Sequence, residues 1–195
     1  MKDKKDVFLY CPTASRFKDI LSPSGKESAG SNQYMEDILR WTFHGADKEN
    51  FSSFWTERGR ELEGDALSAY ILETGIATEK PKFIFNKKYS CGCYPDGTSA
   101  EGCVEIKCLK DVNHRDILKN GVPLKFKPQI QGTILITQKL WLDFVAYCPG
   151  ENLYVERIFP DFTWLGKFIE SMAVFNQKLN EKYTNKFQEV FSDES

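Results

Sequence analysis

Two acidic residues and a lysine are the side chains in this sequence best suited to act together: Asp96, Glu105 and Lys107. Asp96 lies between a proline and a glycine, which is a turn signal. Residues 104–108 alternate between apolar and polar types, which predicts a β-strand. On a strand, Glu105 and Lys107 point to one face while Ile106 points to the other, into the core. If the sheet brings Asp96 alongside, two carboxylates and an ammonium group meet.

Placing the two negatively charged carboxylates close together costs free energy unless a divalent cation lies between them. With Mg²⁺ or Mn²⁺ bound, the site could hydrolyse phosphate esters, because the metal polarises a phosphoryl oxygen and lowers the pKa of a bound water. The lysine can hold that water or help to deprotonate it, and can offset developing negative charge. The structural alternative is a plain turn aspartate beside a solvated salt bridge on a strand face. The surrounding segments decide between these interpretations.

Helix and strand patterns surround the cluster on both sides. A capped helix start at 13–21, a polar loop at 22–33 and a helix at 34–43 precede it. The other predicted elements are a long helix at 51–74, strands at 83–85, 88–94 and 104–108, a helix at 127–139, strands at 141–147 and 153–158, and an amphipathic helix at 161–183. This order predicts an α/β fold in which a mixed central β-sheet is flanked by α-helices.

Four separated motifs together resemble the lambda-type exonuclease family, also called YqaJ-like viral recombinases. They are RGRELEGDA at 58–66, YPDG and VEIK within 94–107, PQIQ at 128–131 and WLDFVAY at 141–147. The resemblance covers about residues 13–183. It implies a restriction-endonuclease-like fold with a PD-(D/E)XK core, and a single exonuclease domain over residues 1–195.

The resemblance also implies a role for each matching residue. Asp96 and Glu105 would bind the metal, and the backbone carbonyl of Ile106 would be a further oxygen ligand. Glu63 would help to hold a second metal ion or orient waters. The expected cofactor is Mg²⁺ or Mn²⁺, with two ions. The implied catalytic residues are Glu63, Asp96, Glu105, Lys107 and Gln129, the last being the first glutamine of a Q-x-Q motif beside the site.

The match departs from the family at the residues that serve a 5′-phosphate pocket. Family members often have an arginine shortly before the Thr-Ala-Ser segment and a basic residue in the following loop. Here residues 8–12 contain no arginine, and the loop at 22–33 offers only Lys26. We therefore expect a relaxed demand for a 5′-phosphate, because arginine is the side chain that binds phosphate in a bidentate way. The remaining DNA-binding candidates are Ser15, Arg16, Lys26, Arg58 and Arg60.

The cysteines and histidines do not match a familiar second site. Four of the six cysteines have the spacing C-x-C-x9-C-x4-C, which lacks the paired C-x2-C of common zinc sites. We expect buried thiols without bound metal. His114 lies in the polar stretch 110–119 and is expected to be a solvated surface residue. The polar tail at 185–195 is expected to be frayed.

Composition limits the class of protein and the mode of DNA binding. A chain of 195 residues with 41% hydrophobic residues suits one domain with a sizeable core. The formal net charge of -2 excludes DNA binding through bulk positive charge, so a local basic groove or metal ions must supply it. No secretory signal and no apolar run of membrane-spanning length are visible. Reduced thiols in a cytoplasmic protein are therefore expected.

The preferred interpretation is a metal-dependent exonuclease that degrades one strand of linear double-stranded DNA from an end. The alternatives are an endonuclease or a single-strand nuclease of the same fold, and a catalytically silent DNA-binding module. The resemblance further implies a phage or prophage protein that acts in recombination in a bacterial host. It implies homo-oligomers, as ring-shaped trimers around DNA, and a phage single-strand annealing protein as partner.

Overall fold

A computed structural model describes residues 11–45 and 54–192 of the chain, without the side chains of residues 54–60 and 190–192. The described helices are α1 (Ser31–His44), α2 (Phe54–Thr74), α3 (Asp111–Asn120), α4 (Lys127–Thr137) and α5 (Phe162–Ser192), with short 3-10 helices at Ala14–Asp19 and Leu124–Phe126. The strands are β1 (Ile84–Asn86), β2 (Cys91–Cys93), β3 (Gly97–Thr98), β4 (Gly102–Cys108), β5 (Trp141–Tyr147) and β6 (Tyr154–Ile158).

The central sheet has four strands in the order β3-β4-β5-β6. β4 and β5 are parallel, with Glu105 opposite Phe144, whereas the other two pairs are antiparallel. A parallel pair needs a long crossover, and α3 and α4 supply it between β4 and β5. β1 and β2 form a separate antiparallel pair. The predicted α/β fold with a mixed central sheet and flanking helices is confirmed.

Alternation along β4 directs its side chains to two different helices. Val104 and Ile106 pack with Ala66 and Tyr70 of α2 on one face of the sheet. On the other face, Cys103 of β4 packs with apolar residues of α3, α4 and β5. Because side chains alternate along a strand, Glu105 shares the α4 face with Cys103.

The last helix is longer than the periodicity predicts, and the expected frayed tail is wrong as far as Ser192. α5 continues nine residues beyond Tyr183. Tyr183 stacks on Phe43 of α1, and Phe187 stacks on Tyr183 one turn later. The Tyr183–Phe187 contact, at spacing i, i+4, extends the apolar side of the helix into a sequence that is otherwise polar.

The polar stretch at 110–119 forms a helix that the sequence analysis did not predict, and His114 is not a solvated surface residue. His114 is fully buried, and its Nε2 lies 3.2 Å from the carbonyl oxygen of Ala146 in β5. Ile117 lies three residues later and is buried on the same side of α3. His114 and Ile117 are the buried residues of α3, which packs on β5.

Cys91, Cys93 and Cys103 are buried, as expected for small apolar side chains near strands, whereas Cys108, the fourth cysteine of that spacing, is only half-buried. Burial raises the pKa of all three thiols, so they remain protonated at neutral pH. Within residues 11–45 and 54–192, none of the helices combines the length and hydrophobicity needed to cross a membrane.

Candidate active site

Asp96 is held at the edge of β4 by two hydrogen bonds with that strand. β3 begins at Gly97 and pairs with β4 only as far as Val104. The Asp96 backbone N–H donates to the carbonyl oxygen of Val104 at 3.1 Å. Beyond that point, the backbone N–H of Ile106 donates to Asp96 Oδ2 at 2.6 Å. The Asp96 carboxylate therefore hydrogen-bonds to β4 at the point where β3 has ended. It lies beside residues 105–107.

Glu105 and Lys107 meet on the α4 face of the sheet. Lys107 Nζ donates to Glu105 Oε1 at 2.6 Å, and the Glu105 side chain is only 4% exposed. Gln129 in the first turn of α4 donates from Nε2 to the same oxygen at 2.5 Å. Its own Oε1 lies 3.5 Å from Lys107 Nζ. The structure therefore joins three of the predicted site residues in one hydrogen-bonded group.

Burial and like charge act together on the two carboxylates. Burial, followed by repulsion from Glu105, raises the pKa of Asp96 to about 7. The hydrogen bond from Ile106 and the charge of Lys107 offset this only in part. Burial by itself would lower the pKa of Lys107, but the adjacent Glu105 outweighs it, so the net pKa is raised. Lys107 is therefore a stable ammonium ion.

Glu63 approaches this edge from α2 on the opposite face of the sheet. Ala66 and Tyr70 share its side of the helix, at spacings of three and seven residues, and both are fully buried. The negative charge of Glu63 makes a lesser contribution to the raised pKa of Asp96, after burial and the charge of Glu105. Its Oε2 lies 2.6 Å from Lys80 Nζ.

A polar network around a buried aspartate, which the sequence analysis did not single out, fixes α2 to the sheet. Tyr70 Oη donates to Asp143 Oδ2 at 2.7 Å, and Asp143 is 1% exposed. Arg157 of β6 donates to both oxygens of Asp143, at 2.8 Å and 2.9 Å. Its guanidinium group also lies over the ring of Trp141, 3.6 Å from the centroid. The network anchors the helix that presents Glu63.

The carboxylate oxygens at the site suit a hard cation, although few side chains supply them. Among the described residues, no group of three or more His, Cys, Asp or Glu side chains is arranged to hold a metal ion. Asp96 and Glu105 are the pair available at the edge of β4. Mg²⁺ is commonly bound by one or two carboxylates together with waters and substrate phosphates. A cation would also relieve the repulsion that raises the pKa of Asp96.

A cavity of about 280 Å³ adjoins the hydrogen-bonded group through Gln129. It is lined by Ser15, Lys18, Lys125, Phe126 and Gln129. Phe126 packs on Phe144, and the ammonium groups of Lys125 and Lys107 lie 5.1 Å and 5.5 Å from its ring centroid. The sequence analysis had selected Ser15 but missed both lysines. The available signal was local, since Lys18 lies one helical turn after Ser15 and Lys125 lies just before α4.

The other DNA-binding candidates lie elsewhere or carry other contacts. Arg16 pairs with Asp19 and Asp37 and lies over the Tyr34 ring, 4.3 Å from the centroid. Lys26 is exposed in a loop that packs on α5, where Trp164 Nε1 donates to the carbonyl oxygen of Ser22 at 3.0 Å. Two further candidates, Arg58 and Arg60, lie on α2 with side chains outside the described part of the structure.

Comparison with known proteins adds independent evidence. A family profile described as the YqaJ-like viral recombinase domain matches residues 6–140, the range that holds Glu63, Asp96, Glu105, Lys107 and Gln129. A search of curated proteins finds no match.

Solved structures of exonucleases share the fold. An alkaline exonuclease of Laribacter hongkongensis is 25% identical, with a TM-score of 0.83 over 95% of this chain and 96% of that chain. The same exonuclease in complex with dAMP gives the same identity and TM-score, over 97% of each chain. A phage-related exonuclease from Haemophilus somnus 129PT is 12% identical, with a TM-score of 0.69 over 90% of this chain and 96% of that chain, and shows a common fold alone.

Proposed function

Because this chain belongs to the YqaJ-like viral recombinase domain family, we propose that it is a metal-dependent deoxyribonuclease that hydrolyses phosphodiester bonds from the ends of linear double-stranded DNA. The observation that carries the proposal is the grouping of Asp96, Glu105 and Lys107 at the edge of β4. Similarity to an exonuclease over nearly the whole chain supports the reaction class. A role in phage recombination is part of the same proposal and rests on the family.

Two carboxylates and a backbone carbonyl would hold the metal. Asp96 and Glu105 supply the carboxylates. In a strand, the N–H and C=O of one residue point to the same side, so the Ile106 carbonyl faces the edge where its N–H meets Asp96. Glu63 is the candidate ligand for a second ion, because its charge acts on Asp96 from the α2 side. The chemistry that bound Mg²⁺ or Mn²⁺ supplies is polarisation of a phosphoryl oxygen and a lowered pKa of bound water.

Lys107 and Gln129 would act on the water and on the carboxylate. Because the pKa of Lys107 is raised, its ammonium group is suited to hold the attacking water and to offset charge on the phosphate. Gln129 donates to Glu105 and so keeps that carboxylate in one orientation. Preorganised donors of this kind contribute to catalysis because they need no rearrangement during the reaction.

The adjoining cavity would receive the end of a DNA strand. Ser15, Lys18 and Lys125 offer a hydroxyl and two ammonium groups to phosphate oxygens. Phe126 offers an aromatic ring on which a base can stack. Lys26, Arg58 and Arg60 remain proposed contacts further along the DNA, whereas Arg16 would have to exchange its two aspartate partners first.

The wider context of the proposal comes from the family resemblance. We propose that the protein forms a homo-oligomer, with a trimeric ring around DNA as the expected form. A phage single-strand annealing protein is the proposed partner. A location in the cytoplasm of a bacterial host is part of the same proposal. Sedimentation analysis with and without duplex DNA tests the assembly.

One experiment tests the central proposal. Purified protein is incubated with Mg²⁺ and linear duplexes labelled at either end, beside a circular duplex of the same sequence. We expect rapid loss of label from linear DNA, slow or no cutting of the circle, and no cleavage with EDTA. Efficient cutting of the circle would favour an endonuclease. A labelled single-stranded DNA is included as a third substrate, and its degradation alone would favour a single-strand nuclease. Binding without cleavage would favour a silent module.

A diffraction experiment tests the metal site directly. Crystals soaked in Mn²⁺ should show the ion about 2.0–2.6 Å from carboxylate oxygens of Asp96 and Glu105. Binding only at other residues would reject this metal site. Cleavage can then be compared with that of Asp96→Asn, which keeps an oxygen acceptor for Ile106 but removes the charge.

A further inference from the structure

Lys80 occupies a position at the site that the catalytic proposal does not use. Its ammonium group lies 2.6 Å from Oε2 of Glu63, the residue proposed as a ligand for a second metal ion. The pair bridges 17 residues of sequence, so it is made by the fold and not by neighbouring turns of α2. The hydrogen bond to Glu63, with a further contribution from Asp96, raises the pKa of Lys80 and keeps it charged.

The backbone next to Lys80 is fixed, although its side chain is exposed. Glu79 forms an antiparallel bridge with Thr98 of β3. The Glu79 N–H donates to the carbonyl oxygen of Thr98 at 3.0 Å, and the Thr98 N–H donates back at 2.8 Å. Through this pairing, the backbone at Lys80 runs beside Gly97, the neighbour of Asp96. The backbone position of Lys80 therefore does not depend on the ion pair with Glu63.

The ion pair itself is weak enough to be exchanged. The Lys80 side chain is 63% exposed and that of Glu63 is 28% exposed. Exposed pairs contribute little to stability, because water screens the attraction and both side chains lose conformational freedom. A divalent cation carries twice the charge of an ammonium group and competes for the same carboxylate.

We propose that Lys80 is an exchangeable counter-ion: it holds Glu63 until a divalent cation takes that carboxylate, and its freed ammonium group then binds a phosphate of the DNA. The inference rests on the proposed function and adds a substrate contact that is coupled to metal binding. Lys107 has a different role, since its partner Glu105 is buried and also holds Gln129.

The first test measures metal binding without DNA. Mn²⁺ is titrated into the protein, and free ion is followed by its EPR signal. Lys80→Ala removes the competing cation, so we expect Mn²⁺ to bind about 1.5- to 5-fold more tightly, the range expected for one exposed pair. Lys182→Ala is the matched control, because it breaks another exposed lysine–glutamate pair, with Glu36, and should leave Mn²⁺ affinity unchanged. Weaker or unchanged binding in Lys80→Ala would overturn the exchange.

The second test measures DNA binding by protein that carries Lys107→Ala, which is expected to cleave at least about 100-fold more slowly. With Mn²⁺ present, adding Lys80→Ala should weaken duplex binding and reduce the slope of log K against log salt by about 0.9, the value for one lost phosphate contact. Lys80→Arg should restore both quantities, since arginine also donates to phosphate. An unchanged slope would overturn the phosphate contact.

The two tests separate this inference from the proposed function. Failure of the unaltered protein to bind Mn²⁺ would reject the metal site, and the exchange with it. Normal Mn²⁺ binding that does not respond to Lys80→Ala would reject the exchange alone. If Lys80→Ala weakens both Mn²⁺ binding and DNA binding, Lys80 has a structural role. The exchange instead predicts tighter Mn²⁺ binding together with weaker DNA binding.

Discussion

At the scale of single residues, the protonation state of Lys107 limits the part that this side chain can take in the reaction. A lysine that acts as a general base needs a lowered pKa. Here the contact with Glu105 raises the pKa of Lys107 despite burial. The side chain is therefore better suited to hold water and neutralise charge than to remove the first proton.

Lys107→Ala should reduce cleavage of linear duplex DNA by about 100-fold or more, the range for loss of a group that acts in the transition state. DNA binding should remain, because phosphate contacts elsewhere supply affinity. Initial rates and duplex affinity are measured together, with Lys119→Ala on the exposed side of α3 as a surface control. Full activity in Lys107→Ala would remove the lysine from the mechanism.

Loss of Lys107 also leaves the buried Glu105 with Gln129 as its remaining hydrogen-bond partner within residues 11–45 and 54–192. A buried carboxylate that loses its cation destabilises the fold. The double variant Glu105→Gln, Lys107→Ala removes both charges and should recover thermal stability without recovering cleavage. Recovery of cleavage would contradict the proposed roles.

The pH dependence of cleavage should follow Asp96, whose pKa is raised to about 7. Below that pH the carboxyl group is protonated and cannot bind a cation, whereas above it the ionised form can. Cleavage at a limiting Mg²⁺ concentration should therefore increase as the pH rises through about 7. The midpoint should move to lower pH when Mg²⁺ is increased, because the cation binds only the ionised form. Initial rates across the pH range at two Mg²⁺ concentrations test this, and a midpoint independent of Mg²⁺ would argue against it.

At the scale of elements, the position of Gln129 depends on how closely α4 packs on the first 3-10 helix. Gly132 of α4 faces Phe17, and a Cβ atom built on Gly132 would lie 2.2 Å from that ring. Phe17 cannot easily move, because it is fully buried and its ring lies 4.6 Å from that of Phe168. The close approach brings the helix of Ser15 beside Gln129 and so forms the cavity between them.

Gly132→Ala should destabilise the protein by about 1–3 kcal/mol, the usual cost of overpacking a core. The same change at an exposed position in a helix normally stabilises by about 0.5–1 kcal/mol. Gly64→Ala in α2 and Gly166→Ala in α5 are the matched controls, because a Cβ atom there meets nothing within 4 Å. Chemical unfolding of the three variants provides the comparison. Stabilisation by Gly132→Ala would show that α4 is packed less tightly.

At the scale of the whole molecule, DNA binding must be local, because the formal net charge is -2. The lysines near the carboxylates come from four parts of the chain: Lys18, Lys80, Lys107 and Lys125. Three of them lie outside the predicted motifs. Lys80 and Lys107 are already paired with Glu63 and Glu105, so the cations left to attract DNA at the cavity are Lys18 and Lys125.

Phosphorylated and hydroxyl 5′-ends should be digested at similar rates. The arginine expected before the Thr-Ala-Ser segment is absent, and Arg16 already pairs with two aspartates. The cavity instead offers two exposed lysines, which bind phosphate as flexible point charges without bidentate geometry. Matched linear duplexes that differ only in the 5′ group test this at several salt concentrations. A large preference for the phosphorylated end that persists in high salt would contradict it.

Local pattern in the sequence was sufficient to place Glu105 and Lys107 on one strand and Gln129 at the start of a helix. The period of two in β4 places Glu105 and Lys107 on one face, and Pro128 marks the start of the helix that carries Gln129. Both signals depend only on neighbouring residues, because the side-chain period and the first turn of a helix are local properties. They predicted elements and faces correctly, together with the α/β class.

Tertiary structure decided which distant residues meet around that centre. The Asp143–Tyr70 hydrogen bond joins residues 73 positions apart, and the Lys80–Glu63 pair joins residues 17 apart. The burial of His114 likewise depends on β5 lying beneath α3. Such contacts follow from strand order and helix docking, which no local period encodes. By itself, the sequence determined the chemical groups and the faces they occupy, whereas the packing of α2, α4 and the 3-10 helix on the sheet determined their partners.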